Sequence, residues 1–264
     1  MQKIDLIIKH DDELKDTAEV HVSATVDNQV VDFILDTGCS ITTLFYNDFS
    51  ASYKVIEQGE YSGAFGTSKK DKILVDHISL ASLKKSNLNI SRTPQGGNNK
   101  NLLGMDFLGE TYFELHLSDE KLIISGDKVE SYKNELTFDS GKIPFIDISF
   151  EDRVAKAVWD TGAGITIVDK AFVEVNKHLF EDAGTTTGTD STGTSFETPV
   201  YFIKYIEIAG FKFPKHRVVP IDLAHLGPKT GRGMDFILGY STLKLAHWAM
   251  DFKNKKWDII KTLF

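Results

Sequence analysis

The sequence predicts a mainly β protein, folded as two similar lobes about a pseudo-twofold axis, with few short helices. Three observations predict it. The chain is written twice, each copy alternates apolar and polar residues in strand-like runs, and helical periodicity is scarce. Residues 33–44 read FILDTGCSITTL and residues 157–168 read AVWDTGAGITIV, in register at an offset of 124. Residues 102–108, LLGMDFL, are answered by residues 237–243, ILGYSTL, at an offset of 135.

The first element of each copy is a hairpin. EVHVSATVDNQVVDFILDTG ends at Gly38 and PFIDISFEDRVAKAVWDTG ends at Gly162. Each alternates, meets a polar turn (Asp27-Asn28; Glu151-Asp152), then alternates again, so the second strand delivers Asp-Thr-Gly. A more diverged middle follows, with Gly66-Thr67-Ser68 in one copy and Gly193-Thr194-Ser195 in the other. After each apolar-apolar-Gly comes a strand-turn-strand, FELHLSDEKLII (113–124) and WAMDFKNKKWDII (248–260). The polar, Gly-bounded run GDKVESYKNELTFDSG between the copies reads as a linker. The domains are therefore expected at 1–126 and 142–264, with the linker at 127–141. The best helix candidate is 168–180, where Val168, Ala171, Phe172, Val175 and Leu179 share a face and Thr166 or Asp169 can cap it. A weaker one lies near 43–50, and short helical turns are expected at about 105–109 and 240–246.

Composition narrows the function. The 264-residue chain carries 30 Lys+Arg against 38 Asp+Glu, a net charge of −8, which disfavours nucleic acid as a partner. The clusters Lys69, Lys70, Lys72 and Lys253, Lys255, Lys256 read as solvated faces. One cysteine, Cys39, permits no internal disulfide and leans towards a reducing, cytoplasmic setting. No membrane span and no signal peptide is visible. The His residues show no HExxH spacing and there is no cysteine cluster, so no metal or other cofactor is expected. No G-x-S-x-G elbow, dinucleotide fingerprint or phosphate loop appears.

What remains is the pair of Asp-Thr-Gly copies. One copy alone is an ordinary turn at a strand end. Two in register, each with an acid at the end of a buried strand, are poorly explained as structure, because an unpaired buried acid is costly. Lobes packed about a twofold axis bring Asp36 and Asp160 side by side. Two carboxyls at close range share one proton, so one can act as base towards water while the other donates to a substrate carbonyl. Paired carboxylates of aspartic proteases are a standard instance of this logic. Gly38 and Gly162 let backbone N–H groups approach the carboxylates, and the Thr37 and Thr161 hydroxyls can reach across the axis.

FILDTGCS, VWDTGAG, LLGMDFL and FILGYSTL resemble the active-site and apolar-apolar-Gly motifs of the retropepsin and pepsin clan of aspartic peptidases. The resemblance covers the skeleton of both halves but not the diverged middles, and the chain resembles two retropepsin-like units fused in tandem. It implies a two-lobed pepsin-like fold, Asp36 and Asp160 as the catalytic pair, and Thr37 and Thr161 locking the two loops. It also implies peptide or protein substrates and a β-hairpin flap, for which Tyr61–Lys70 and Gly184–Ser195 are candidates. Tyr61, Phe65 and Gly66 are the candidate flap residues, with the aromatic Tyr61 and Phe65 placed to cover a substrate. One chain supplies both acids, so a monomer is expected. The position after Asp-Thr-Gly, commonly Ser or Thr in pepsins, holds Cys39 and Ala163. Fewer hydrogen bonds to the charged form place the activity at mildly acidic pH. Cys39 beside the pair reads either as an oxidation-sensitive thiol or as a small buried hydrophobe. Two other functions stay open: a peptide-binding module that keeps the fold without cutting, and a duplicated scaffold.

Overall fold

A computed structural model describes residues 2–62, 67–97, 99–125, 132–151, 153–189, 195–226 and 233–264. The chain is mainly β, with three sheets and, among the described residues, four short α-helices. Alternation builds the first hairpin, β3 (Ala18–Val26) and β4 (Gln29–Leu35). Val20, Val22, Ala24 and Val26 point inward along β3. Asp27 turns the chain at φ 51°, a left-handed conformation that Asp tolerates. The second hairpin, β14 (Pro144–Phe150) and β15 (Arg153–Trp159), turns at Glu151, φ 47°.

Both hairpins are completed in the same way. β9 (Leu102–Leu103) lies parallel to the end of β4, with Leu35 opposite Leu103. β22 (Phe236–Leu238) lies parallel to the end of β15, with Trp159 opposite Leu238. On its other side β9 meets β5 (Thr43–Leu44) antiparallel, as β22 meets β16 (Thr166–Asp169). β5 in turn runs parallel to β8 (Leu83–Arg92), as β16 runs parallel to β21 (His216–Ile221). The same pairing plan therefore surrounds each Asp-Thr-Gly.

The eight-stranded sheet runs β2 (Ile7–His10), β3, β4, β9, β5, β8, β7 (Thr67–Leu80), β6 (Val55–Ser62). The ten-stranded sheet runs from β17 (Phe180–Thr189) and β18 (Ser195–Ile203) through β21, β16, β22, β15 and β14 to β19 (Ile206–Ile208) and β20 (Phe211–Phe213). Beside β14 lies β13 (Thr137–Phe138). The third sheet draws on both halves, in the order β1 (Gln2–Asp5), β11 (Lys121–Ser125), β10 (Tyr112–His116), β23 (Ala246–Asp251), β24 (Lys256–Thr262), β12 (Asn134–Glu135). At its centre β10 pairs antiparallel with β23, Tyr112 opposite Asp251 and His116 opposite His247. Beneath it Trp159 packs against Trp248 and Phe113, with ring centroids 6.1 and 5.9 Å apart, so the two halves share one continuous core.

The polar run read as a linker over 127–141 is partly woven into this frame. β12 and β13 belong to it, and Leu136 between them is buried; residues 126–131 lie outside the described residues.

Helices correct the sequence reading in two places. Over 168–180 the expected helix shrinks to α3 (Lys170–Val175) and a 3-10 turn (Lys177–Leu179). The β-branched run Thr166-Ile167-Val168 is claimed by strand pairing on both sides. Asp169 caps α3, accepting from Ala171 N at 3.2 Å, and Val175 is 65% exposed instead of facing the core. Near 43–50 the first residues are strand β5, and helix begins only at α1 (Asp48–Ala51) under an Asn47–Ser50 capping box. The turns after each apolar-apolar-Gly are helical as expected, α2 (Met105–Leu108) and α4 (Tyr240–Leu243), though β23 begins already at Ala246.

Candidate active site

Asp36 and Asp160 stand at the ends of β4 and β15, each tied back to its partner strand. Asp36 N donates to Leu103 O and Asp160 N to Leu238 O, both at 3.1 Å. The loops that follow fold onto the glycine of each apolar-apolar-Gly. Met105 N donates to Cys39 O and Tyr240 N to Ala163 O, both at 2.8 Å. A Cβ on Gly104 would lie 2.8 Å from Cys39 O, and one on Gly239 2.5 Å from Ala163 O. The two motifs thus recur together because one seats the other.

Across the halves the contacts are reciprocal. Thr37 Oγ1 donates to Trp159 O at 2.7 Å, and Thr161 Oγ1 donates to Leu35 O at 2.6 Å. Thr37 N donates to Thr161 Oγ1 and Thr161 N to Thr37 Oγ1, both at 3.1 Å. Both threonines are buried, so all four groups exchange water for protein partners. Gly38 N donates to Asp160 Oδ1 at 3.1 Å, and Gly162 N to the same oxygen at 2.8 Å.

The two carboxyls are unequal. Asp36 is buried and held well above the ordinary carboxylate range, by burial first, then by the Asp160 charge and a hydrogen bond to Asp160. Asp160 is also raised by burial, but N–H groups of Gly162 and Gly38, a hydrogen bond from Asp36 and the N–H of Ala163 pull the other way. Both acids are raised, and the N–H groups of Gly38 and Gly162 on Asp160 Oδ1 favour the charge on Asp160 over Asp36.

Three further features escaped the sequence. Lys70, read as part of a solvated cluster, is buried on β7, and its charge works against the rise at Asp36. Asp106 Oδ1 accepts from Thr42 N, Thr42 Oγ1 and Phe107 N at 2.9, 2.6 and 2.8 Å, bracing the first loop. In the second half neutral groups do this work: Thr166 N donates to Ser241 Oγ at 3.0 Å, and the Thr166 and Thr242 hydroxyls meet at 2.6 Å. His216 supports them, Nδ1 donating to Pro214 O at 2.7 Å and Nε2 accepting from Thr242 Oγ1 at 2.8 Å. The acid in LLGMDFL was the only visible trace of this asymmetry.

Burial lowers His216 to about 4. Unfolded chain takes up that proton near pH 6.5, so the stability His216 confers is complete above that pH and is lost on descent towards pH 4. His216→Asn is expected to flatten the fall of Tm between pH 7 and 4.5 by several degrees. Parallel melting curves for the two proteins would refute the assignment.

Cys39 lies half-buried, Sγ donating to Ile41 O at 3.1 Å. Burial, then Asp36 once it is ionised, pushes the thiol up to about 12. A thiol held protonated is a weak nucleophile.

Of the flap candidates, Tyr61 lies on β6 opposite Ser68 of β7, in a hairpin at the edge of the eight-stranded sheet. Phe65 and Gly66 lie outside the described residues. Gly184–Ser195 falls on the β17–β18 hairpin at the edge of the ten-stranded sheet, with residues 190–194 outside the described residues.

Residues 22–107 match the family model of aspartyl proteases. The match takes in Asp36, Thr37, Gly38, the β6–β7 hairpin and Gly104, and it supports an aspartic protease family. Asp160 lies beyond its end. No curated protein matches the chain. Among the described residues no helix is long and apolar enough to cross a membrane.

Proposed function

We propose that the protein is an aspartic endopeptidase, in which a water held between Asp36 and Asp160 attacks the peptide carbonyl. The observation that carries this is the sharing of one carboxylate between the halves: Asp160 receives N–H groups from both Asp-Thr-Gly loops while Asp36 leans on it as a proton donor. Asp160 takes a proton from water as the hydroxyl oxygen bonds to the carbonyl carbon, and Asp36 gives its proton to the carbonyl oxygen. The resulting diol collapses as Asp160 passes its new proton to the amide nitrogen, the C–N bond breaks, and Asp36 recovers a proton from a diol hydroxyl, leaving a carboxylic acid and a free amine. No covalent enzyme intermediate is needed, and the dry site strengthens each of these contacts. One chain furnishes both acids, so the active unit is proposed to be a monomer of two fused lobes with hairpins 55–80 and 180–203 beside the cleft.

Both carboxyls are raised, so both limbs of the pH–rate curve move up from the strongly acidic range. The lower limb marks protonation of Asp160 and the upper limb loss of the shared proton from Asp36. Hydrolysis of a diverse peptide library between about pH 3 and 7 tests this, with and without a statine-type transition-state mimic. Cleavage that peaks at mildly acidic pH and is blocked by the mimic is expected. A rate still climbing below about pH 3 contradicts the electrostatics. Peptide binding without cleavage at any pH overturns the peptidase reading in favour of a binding module.

A further inference from the structure

We propose that His116, His247 and Asp119 form a site for one divalent transition cation of the zinc class, placed across the sheet that joins the two halves. The site is independent of the proposed peptidase chemistry. His116 ends β10 and His247 lies opposite it on β23, with the rings 4.1 Å apart and 13° from parallel. Asp119 follows on the 3-10 turn Leu117–Asp119. Its Oδ2 is 3.9 Å from His116 Nδ1 and 3.7 Å from His247 Nε2. One ligating atom from each of the three residues falls within 4.8 Å of the others. Tetrahedral zinc with bonds of about 2.0–2.2 Å sets its ligands roughly 3.3–3.5 Å apart. Asp119 is 57% exposed and has room to swing in, while binding requires the stacked imidazoles to turn towards it.

The surroundings prepare His116 for the role. Glu114 Oε2 lies 3.1 Å from His116 Nε2, and Glu114 Oε1 is held by the Tyr112 hydroxyl at 2.8 Å. A carboxylate on one imidazole nitrogen fixes the proton there and leaves the other nitrogen, Nδ1, as a lone pair towards Asp119. The Ser118 hydroxyl, 3.0 Å from His247 Nε2 and donating to Asp119 Oδ1 at 3.1 Å, gives the site a further polar neighbour that an ion would have to displace from His247. Two lysines flank the histidines, Lys121 opposite His116 on β11 and Lys261 opposite His247 on β24, and Lys121 is paired with Asp5, so Glu114 and Asp119 are the acids left to offset an added cation. Two imidazoles and a carboxylate suit zinc, cobalt or nickel better than magnesium or calcium, which prefer all-oxygen shells. His116 and His247 lie far apart in sequence and match no ligand spacing, which is why the sequence argued against a metal.

Calorimetric titration of the full chain with zinc chloride tests the site, with cobalt absorption as the report of tetrahedral geometry. Wild type is expected to bind one ion per chain and to melt about 5 °C or more higher with zinc in large excess. His116→Asn, His247→Gln and Asp119→Asn should each weaken binding by about tenfold or more. Asp160→Asn should bind as wild type does. Asp119→Asn alters an exposed side chain, so it reports on the ion even if a histidine variant fails to fold. Absence of binding at about 100 μM zinc overturns the proposal. So does binding that survives Asp119→Asn and His247→Gln unchanged, or binding lost in Asp160→Asn, which would place the ion at the Asp pair.

Discussion

Asp36→Asn and Asp160→Asn are each expected to lower turnover about a thousandfold or more, and the double variant to be no worse than either. In the proposed mechanism the pair works as one device: Asp160 without its charge would not take a proton from water, and residue 36 without its acid proton would not polarise the carbonyl. The same substitution at position 36 should stabilise the fold at neutral pH. Folded Asp36 keeps its proton where the unfolded chain has lost its own. Its stabilising share is therefore full below the ordinary carboxyl value of about 3.9 and is lost as pH rises through the raised folded value. Asparagine has no proton to lose and can still donate to Asp160. Calorimetry should show Tm of Asp36→Asn above wild type by a few degrees at pH 7, the gap closing in acid. Undiminished hydrolysis by this variant would remove Asp36 from the mechanism, and a lower Tm at pH 7 would contradict its strained burial.

Gly162→Ala and Gly38→Ala are expected to cost nearly as much activity, at least about a hundredfold, and to lower stability by about 1–3 kcal/mol as well. A Cβ at 162 would sit 2.4 Å from Asp36 Cγ, and one at 38 would sit 2.3 Å from Asp160 Oδ2. Neither carboxylate can step aside easily, because each glycine that would push on one also hydrogen-bonds within the same cluster. Gly233 is the control, since a Cβ there meets nothing within 4 Å. Gly233→Ala should leave hydrolysis unchanged. Turnover of Gly162→Ala within a few-fold of wild type would show that the loops are looser than this packing implies.

Much of this was legible because it is local or repeated. Strand alternation disclosed the hairpins, and the doubled Asp-Thr-Gly and apolar-apolar-Gly disclosed which strand ends carry the loops. Gly104 and Gly239 explain why: the second motif is the seat of the first, so neither drifts freely. What stayed hidden depends on partners distant in sequence. Lys70 looks solvated until β7 is laid beside β6 and β8. Thr166-Ile167-Val168 continues a helical period, yet pairing with β21 and β22 makes it strand. The repeat aligns Asp106 with Ser241, but only the fold shows that each accepts from the equivalent threonine amide, Thr42 N and Thr166 N. The joining sheet was invisible as a joint, because the two strand-turn-strand units were read as equivalents and their mutual pairing leaves no periodic trace.

The crossed threonines also dictate where the molecule can give. Thr37 is anchored on the strand leading to Asp160, and Thr161 on the strand leading to Asp36. Sliding one half against the other by an ångström stretches both anchors at once, and twisting opens the amide contacts as well. Such a fastening has no compliant direction, so admitting a substrate by hinging the halves apart would dismantle the very loops that hold the acids. Under the proposed peptidase reading, a substrate would have to enter past the sheet edges instead. The hairpins ending in β6 and β17 are each gripped along one side only, at the outer rim of their sheets. Amide exchange should accordingly be slowest at Thr37 and Thr161 and faster along the edge strands β6 and β17.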